Sequence, residues 1–304
     1  DRRDRRLTLV RDRMGIKPFY YAIRNGNFLF ASEIKALLAA GVPAIPNMES
    51  WHRYLAEGRL DDTDETFFRG IRNLGAGQVL HSNGIAHEYW DGFCVEETLT
   101  DDLAAERLRE LIEDAVKLCL RSDVPVGLNL SSGIDSATLY NFSPGMMAFN
   151  VTYSRDSYND EPIECPYPYV ISPDKALGLL DEVMWHQEAP YGGLATVAYH
   201  HLHKQIRSAG YKVVLEGQGM DEMMAGYKYY QLPAGNTYQD GTAYIYPECL
   251  SDELKSEKPA VLPVELLHDR LWRDFRHTKL PRVLRMNDKL SMAAGVELRE
   301  PYLD

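Results

Sequence analysis

Short apolar runs separated by turn residues occupy the first ninety positions of the chain. The runs typical of β-strands are Leu7–Val10, Phe19–Ala22, Phe28–Ala31 and Gly77–Leu80. The Asn25-Gly26 pair favours a tight hairpin between two of them. Ser32 is placed to cap a helix that Gly41 and Pro43 would end. This alternation predicts the second half of an antiparallel α+β domain over residues 1–91.

The pattern changes after this stretch. Thr100 can cap a helix in which apolar residues recur at three- and four-residue spacing as far as Cys119. Beyond it the order becomes strand, loop and helix. The predicted strands are Val124–Leu130, Met147–Tyr153 and Lys212–Leu215. Such an order predicts a parallel sheet flanked by helices in residues 100–304, joined to the first domain by a linker at 92–99.

Composition and charge narrow the class of protein. The chain has 304 residues, with 33 Lys and Arg against 45 Asp and Glu, so its formal net charge is -12. The length suggests two domains, and the 45% hydrophobic content excludes a disordered or fibrous chain. The acidic charge, without any basic block, argues against non-specific nucleic-acid binding. No apolar run approaches the roughly 18 residues that span a bilayer, so no membrane association or signal peptide is predicted.

Cysteines and histidines offer little chemistry of their own. The cysteines are Cys94, Cys119, Cys165 and Cys249, and the clustered histidines are His186, His200, His201 and His203. The wide spacing of the cysteines argues against a disulfide framework and a zinc site, and predicts a reduced, cytoplasmic protein. Only His200 and His203 would share a face of the predicted helix, which disfavours a histidine zinc site.

The most informative segment is the loop after the first predicted strand of the second domain. It reads Ser131-Ser132-Gly133-Ile134-Asp135-Ser136. Small residues there can bring several backbone N–H groups to one point, and the next helix aims its positive N-terminal end at that point, which suits phosphate binding. It is not a Walker A loop, because no Gly-Lys-Ser/Thr follows. The alternative is an ordinary turn with Asp135 as a helix cap.

Four segments together resemble one family. Ser131–Ser136 resembles the S-G-G-x-D-S loop of the ATP pyrophosphatases. Val213–Glu222 with Ala225–Tyr227 resembles the S-G-E-G-x-D-E and G-G-Y stretch of the glutamine-hydrolysing asparagine synthetases (class B type). Arg285–Ala293 with Glu297–Asp304 is similar to that family's R-x-D-x-x-S-M-A and E-x-R-x-P-F-L-D stretch. Arg11–Pro18 with Phe30–Leu37 looks like the second half of its glutaminase domain.

The resemblance implies both fold and reaction. The fold is α/β: a partial N-terminal nucleophile (Ntn) glutaminase domain, then an ATP-pyrophosphatase (adenine nucleotide α-hydrolase-like) parallel-sheet domain truncated at its C-terminus. The implied reaction is ATP-dependent amidation of a carboxylate, aspartate or a related acid. It passes through an acyl-adenylate and releases AMP and pyrophosphate. Glutamine or ammonia supplies the nitrogen, and a homodimer is left open.

The same resemblance implies the site residues. Mg²⁺ would be held by Asp135 and Asp221. The implied nucleotide-binding residues are Leu130, Ser131, Ser132, Gly133, Asp135, Ser136, Val151, Glu216 and Gly217. The implied catalytic residues are Asp135, Gln218, Glu222, Lys289 and Arg299. Leu130 and Val151 also fit plain core strands, and Arg299 also fits a structural ion pair with a neighbouring glutamate.

Several positions depart from the family. Gln218 stands where the family has Glu, and Gln cannot act as a base, so either Glu216 or Glu222 takes over or the site does something different. The acceptor then becomes uncertain between aspartate and another acid, such as a uronic acid. Ser132 replaces a Gly. The first residue is Asp1, not the nucleophilic Cys of the glutaminase, so glutamine use is expected of a longer parent protein.

Two spacings are shorter than the family's. Only ten residues separate Ser136 from Met147, and the stretch between Asp160 and Trp185 is also compressed. We expect segments to be absent from this numbering rather than shortened. Two other functions stay open: intramolecular amide formation, as in β-lactam synthetases, and a degenerate homologue that binds nucleotide as a scaffold or regulator.

Overall fold

The computed structural model describes residues 3, 7–81, 84–90, 92, 99–154, 165, 167–231 and 267–304. Contacts divide the chain into two units. Unit 1 comprises Asp1–Asp91, Glu188–Pro190 and Asp221–Arg285, and unit 2 comprises Gly92–Gln187, Tyr191–Met220 and Met286–Asp304. Across the described parts of the chain, none of the helices combines the length and the apolar character that a bilayer crossing requires.

The elements follow one another in mixed α/β order. The strands are β1 (Thr8–Val10), β2 (Tyr20–Arg24), β3 (Asn27–Ala31), β4 (Arg72–Asn73), β5 (Gln78–His81), β6 (Ala86–Glu88), β7 (Val126–Asn129), β8 (Met147–Tyr153), β9 (Tyr167–Ile171), β10 (Val213–Leu215) and β11 (Glu297–Arg299). The helices are α1 (Ile34–Ala39), α2 (Met48–Glu57), α3 (Asp101–Cys119), α4 (Ile134–Phe142), α5 (Pro173–Leu177), α6 (Leu180–Gln187), α7 (Leu194–Ser208), α8 (Met220–Met224), α9 (Leu267–Arg276) and α10 (Lys279–Ala293).

Unit 1 contains two antiparallel sheets, with strand orders β1-β5-β6 and β3-β2-β4. The predicted hairpin is confirmed, because β2 pairs with β3 as far as Arg24 and Asn27, and both turn residues between them have positive φ. Tyr20 and Ile71 are buried in a core that includes α1. The antiparallel α+β pattern predicted for this stretch is therefore present.

Unit 2 is built on a five-stranded parallel sheet in the order β11-β10-β7-β8-β9. All three residues of β10 are buried, as expected for a parallel strand covered on both faces. A Cβ at Gly127 would lie 2.7 Å from Cε2 of Phe149, so the absence of a side chain lets β7 accept that ring. The predicted α/β fold with a parallel sheet is confirmed.

The short crossover between β7 and β8 is complete. Its helix, α4, has nine residues, and it ends where the hydroxyl of Ser143 donates to the carbonyl of Leu139 at 2.6 Å. Gly145, at φ 81°, then turns the chain into β8. The ten residues between Ser136 and Met147 thus form the whole of this parallel crossover, and the absence of further segments from this numbering stays a prediction. In the second compressed stretch, residues 161–164 and 166 lie outside the described residues, and the remainder contains β9, α5 and the start of α6.

The N-terminus of α1 is capped from a distant part of the chain. Ser32 is not the cap, because the N-cap position is Glu33, whose side chain makes no capping bond. Instead, the backbone N–H groups of Ile34 and Lys35 donate to the carboxylate of Glu188 at 2.9 and 2.6 Å. The ammonium of Lys35 lies 3.2 Å from the same carboxylate. A carboxylate at this position satisfies unpaired donors and favours the helix dipole.

We expect Glu188→Ala to lower the free energy of unfolding by about 2 kcal/mol, because two N–H groups and one ammonium lose a buried acceptor. Glu33→Ala is the matched control. It removes an exposed carboxylate 3.2 Å from the same ammonium and should cost only about 0.5 kcal/mol. Urea unfolding of both variants measures the difference. Equal losses would contradict the capping role of Glu188.

Arg276, from a later part of the chain, contacts three backbone segments of unit 1. Arg276, at the end of α9, donates to the carbonyls of Arg13 at 3.0 Å and Ala76 at 3.0 Å, and to that of Trp90 at 3.3 Å. Its guanidinium also lies 5.1 Å from the centre of the Trp90 ring. These contacts join segments that are 186 to 263 residues apart in sequence into one unit.

Candidate functional site

The predicted phosphate loop leaves β7 and enters α4. Ser131, Ser132 and Gly133 are exposed, and Gly133 occupies the N-cap position with extended dihedral angles. Asp135 is therefore in the first turn of the helix and is not its cap, which removes the alternative reading of this residue. The loop presents its backbone to solvent at a helix N-terminus, where N–H groups and the helix dipole favour an anion.

Side chains of the loop hold its shape. The hydroxyl of Ser136 accepts from the N–H of Ser131 at 3.0 Å and lies 2.9 Å from the Ser131 hydroxyl. The Ser131 hydroxyl accepts from the N–H of Gly133 at 3.2 Å. The loop is thus preformed, but two of the N–H groups that we expected to hold pyrophosphate are bonded within it. The first turn of α4 is then the better source of donors.

Gly217 and Tyr302 pack against the first turn of α4. A Cβ at Gly217 would lie 3.3 Å from the Cβ of Asp135 and 3.3 Å from Cε2 of Tyr302. The hydroxyl of Tyr302 donates to the backbone carbonyl of Asp135 at 2.7 Å. The structure therefore brings Asp135 and Gly217, both predicted site residues, into contact, and it adds Tyr302, which the sequence reasoning missed.

Glu216 lies at the centre of a buried polar network at the end of β10. Its side chain accepts from the hydroxyl of Tyr199, from Nε2 of Gln218 at 3.2 Å, and from Nδ2 of Asn287 at 3.3 Å to each oxygen. The backbone N–H of the neighbouring Gln218 donates to Oε2 of Glu300 at 3.3 Å. Burial raises the pKa of Glu216, and the hydrogen bonds oppose that shift.

The network continues to His203. Nδ2 of Asn129 lies 3.1 Å from the Tyr199 hydroxyl and 3.3 Å from Nε2 of His203, whose Nδ1 lies 2.9 Å from the carbonyl of Tyr199. Because the amide group donates, Nε2 must accept, which assigns the ring proton to Nδ1. Burial lowers the pKa of His203 to about 3. The ring is therefore neutral. The Asn129 amide donates both to this ring and to the Tyr199 hydroxyl, which in turn donates to Glu216.

This neutral histidine predicts a pH dependence of stability. The unfolded chain binds a proton at His203 below about pH 6.5, whereas the folded chain does so only near 3, so stability falls as pH decreases between these values. The contribution is at most about 1.4 kcal/mol per pH unit. His203→Gln should flatten the slope measured by urea unfolding between pH 7 and 5. His268→Gln, an exposed control on α9, should retain it, and equal slopes in wild type and His203→Gln would contradict the assignment.

Asp221 and Glu222 lie in the first turn of α8, within unit 1. Burial raises the pKa of both carboxyls, while Tyr227 and Lys279 oppose the shift. Glu222 is 1% exposed; Oε1 accepts from the Tyr227 hydroxyl at 2.9 Å, and Oε2 has no hydrogen-bond partner among the described residues. A Cβ at Gly226 would overlap Oδ1 of Asp221, so a side chain there would displace this carboxylate from its present position. Asp221 and Asp135 belong to different units.

The remaining predicted site residues lie on β8, on α10 and just after β7 and within β11. Arg299 donates to Glu297 at 2.8 Å and to the carbonyls of Cys119 and Arg121, at 2.7 and 2.8 Å, at the C-terminal end of α3, which supports its structural alternative. Leu130 extends the β7–β8 ladder with a bond to the Phe149 carbonyl at 2.9 Å. Two further residues are Val151, half-buried within β8, and Lys289, buried on α10.

The residues that sequence reasoning missed are Asn129, Tyr199, His203, Asn287, Glu300 and Tyr302. What could have indicated them is a polar residue at a position where the pattern predicts burial. Asn129 ends an apolar strand, and Glu300 lies between a strand and Pro301. That pattern is visible in the sequence, but pairing of the groups requires the fold. Among the described residues, no group of three or more His, Cys, Asp or Glu side chains could hold a metal ion.

Comparison with known proteins gives two matches to family profiles. Residues 107–304 match asparagine synthase, and residues 1–90 match a glutamine amidotransferase domain.

Curated relatives cover most of this chain at moderate identity. Asparagine synthetase [glutamine-hydrolyzing] 2 of Bacillus subtilis (strain 168) is 33% identical over 283 residues, covering 79% of this chain and 37% of that protein. Amidase chyE of Penicillium rubens is 30% identical over 258 residues, covering 73% of this chain and 38% of that protein. Asparagine synthetase [glutamine-hydrolyzing] 1 of B. subtilis is 28% identical over 251 residues, covering 77% and 39%. The chain thus spans less than half the length of these relatives.

Proposed function

Because the chain belongs to the asparagine synthase family, as its four motifs predicted, we propose that the protein is an ATP-dependent ligase that converts a carboxylate to an amide. The carboxylate oxygen attacks the α-phosphorus of ATP, forming an acyl-adenylate and releasing pyrophosphate. Ammonia then attacks the acyl carbon and releases AMP. In the whole protein the ammonia comes from glutamine, a proposal supported by the amidotransferase match over residues 1–90.

The observation that carries this proposal is the preformed loop between β7 and α4. Ser131 and Ser136 fix the shape of the loop by their mutual hydrogen bonds. The exposed loop leads directly into the first turn of α4. Pyrophosphate carries negative charge that grows as the bond to the α-phosphorus breaks, and preorganised donors stabilise that charge without rearranging. Gly217, close against Asp135, keeps the β10 loop beside this turn.

Magnesium fits this site as an ion held mainly by phosphate oxygens. Such an ion needs only one or two protein carboxylates, so the lack of a three-residue metal cluster among the described residues is compatible with it. Asp135, in the first turn of α4, is the carboxylate best supported for this role. Asp221 is proposed on its motif, and Gly226 leaves room for its carboxylate. When bound, the ion offsets phosphate charge.

For the acid that is converted to an amide, we propose only its chemical class, a carboxylic acid. Relatives named asparagine synthetase and relatives named amidase match this chain at similar identity, so aspartate is one candidate among carboxylic acids. We also propose a reducing, cytoplasmic location, which the free thiols of Cys119 and Cys165 support. The proposal of a homodimer is supported only by the resemblance to the family.

ATP–pyrophosphate exchange with the whole protein tests the proposal. Each acid of a panel that includes aspartate and uronic acids is added with ATP and labelled pyrophosphate, and formation of labelled ATP is measured. At least one acid should support exchange, because adenylation is reversible. If ATP binds but no acid supports exchange, the ligase function is wrong and the degenerate nucleotide-binding alternative is favoured.

A further inference from the structure

The hydroxyl of Tyr302 is bonded to a backbone group of the helix that follows the phosphate loop. It lies 2.7 Å from the backbone carbonyl oxygen of Asp135, in the first turn of α4. A carbonyl oxygen only accepts, so the hydroxyl must donate. The motif that the chain otherwise follows has Phe where this chain has Tyr302. The hydroxyl, and with it this hydrogen bond, therefore distinguishes the chain from the family motif.

The ring of Tyr302 is held in place by packing. It contacts the core cluster of unit 2 that contains the buried side chains of Leu128 and Leu139. A Cβ at Gly217 would lie 3.3 Å from Cε2 of the ring, so the glycine lets the ring lie close to the loop after β10. Pro301 and Leu303, on either side of Tyr302, are both buried. The hydroxyl thus reaches Asp135 from a side chain whose position is already fixed.

The peptide group that receives this bond has its other end at the N-terminus of α4. The carbonyl of Asp135 and the N–H of Ser136 belong to the same peptide group. Ser136 is the third residue of α4, and the N–H groups of the first three residues of a helix have no partner within it. The first intrahelical bond is donated by Ala137, to the carbonyl of Gly133 at 3.2 Å. The Ser136 N–H is therefore directed out of the helix end that the loop surrounds.

Hydrogen bonds that share a peptide group strengthen one another. A donor on the carbonyl oxygen draws electron density from the amide and makes its N–H a stronger donor. This effect is important in α4 because the N–H groups of Ser131 and Gly133 already donate to hydroxyls within the loop. The first turn of the helix is then the main source of donors for an anion, and Tyr302 acts on one of them.

We propose that Tyr302 is a positioning residue for the pyrophosphate part of ATP. Its hydroxyl fixes the first turn of α4 and strengthens the Ser136 N–H as a donor to a phosphate oxygen. The negative charge on pyrophosphate grows as the bond to the α-phosphorus breaks, so a stronger and fixed donor stabilises the leaving group. The inference rests on the proposed ligase function and adds to it a residue that supports the leaving group without touching it.

Tyr302→Phe removes the hydroxyl and keeps the ring. Titration calorimetry of the whole protein with inorganic pyrophosphate and Mg²⁺ should show a Kd that is roughly three- to tenfold above wild type, which is the value of one hydrogen bond. The Kd for adenosine should not change, because adenosine carries no phosphate. In ATP–pyrophosphate exchange, KM for pyrophosphate should rise by a similar factor, and KM for an acid that supports exchange should not change.

The nitrogen resonance of the Ser136 amide tests the shared peptide group directly. In protein labelled with ¹⁵N at serine, this resonance is identified by its absence in Ser136→Ala. It should move upfield in Tyr302→Phe, because the peptide group loses the donor on its carbonyl. Tyr89→Phe is the matched control, since it removes a hydroxyl that donates to the carbonyl of Arg11 at 2.8 Å in unit 1. The control should keep both the Ser136 resonance and the pyrophosphate affinity of wild type.

The outcomes separate this inference from the proposed function. A pyrophosphate Kd in Tyr302→Phe equal to that of wild type, or an equal rise in the Kd for adenosine, would overturn the inference and leave the ligase function intact. An unmoved Ser136 resonance would overturn the role given to its N–H. A wild-type protein that binds pyrophosphate but supports exchange with no acid would overturn the ligase function, while the binding measurements would still decide the role of Tyr302. A wild-type protein that does not bind pyrophosphate would overturn both.

Discussion

Asp135→Asn is expected to lower ATP–pyrophosphate exchange by about 10²- to 10³-fold, because the carboxylate proposed to hold the phosphate-bound Mg²⁺ loses its charge. The variant should fold normally. The bond from the Tyr302 hydroxyl uses the backbone carbonyl of residue 135, which asparagine keeps, and the packing against Gly217 involves only Cβ and the backbone. Exchange rates at saturating acid and a range of Mg²⁺ concentrations measure the effect.

Asp123→Asn is the matched control for this variant. Asp123 is an exposed carboxylate shortly before β7, so its loss changes the net charge equally without touching the loop. Its exchange rate should equal that of wild type. If Asp135→Asn kept the full rate, Asp135 would have no part in binding the metal ion, and the proposed site would have to be built on other groups.

Gly219→Ala is expected to lower the free energy of unfolding by about 3 kcal/mol, since two costs combine. Gly219 has φ 102°, where residues with a side chain are strained. In addition, a Cβ at this position would overlap Cδ2 of Leu303 and lie 3.2 Å from its Cγ. Leu303 is buried, so its side chain has little room to withdraw. Denaturant unfolding monitored in unit 2 measures the loss.

Two further variants separate the cost of backbone strain from the cost of the overlap with Leu303. Gly210→Ala has a similar φ of 90° with nothing within 4 Å of the added Cβ, so it should cost only about 1 kcal/mol. In a Leu303→Ala background, the cost of Gly219→Ala should fall toward the same value, because the overlap is gone. A cost that stays unchanged in that background would show that the contact with Leu303 is unimportant.

Elements set by local pattern could be predicted from the sequence. The strand expected at Met147–Tyr153 is observed with the same bounds, and Val124–Leu130 contains the observed β7. The loop at Ser131–Ser136 joins strand to helix as expected. In each case neighbouring residues decide the outcome, because apolar runs, glycine and small polar residues act within a few positions.

Contacts between distant residues could not be predicted in this way. Glu188 caps a helix more than 150 residues earlier, and nothing near Ser32 indicates that a remote carboxylate will replace it. Similarly, Tyr199 and Asn287 reach Glu216 only because α7 and α10 pack beside β10. The sequence shows that these residues are polar, but only the fold shows which of them meet, so the predicted site lacked the network around Glu216.

The contacts of Arg276 with backbone carbonyls can form only late in the synthesis of the chain. The backbone segments that hold Arg13, Ala76 and Trp90 leave the ribosome early, yet the guanidinium that contacts all three is translated 186 to 263 residues later. At a translation rate of about 5 to 20 residues per second, Arg276 is added on the order of ten seconds or more after the segments that it contacts. During that interval the nascent chain exposes these carbonyls to water and to chaperones. The early strands and the late helix can therefore complete these contacts only after Arg276 has been translated.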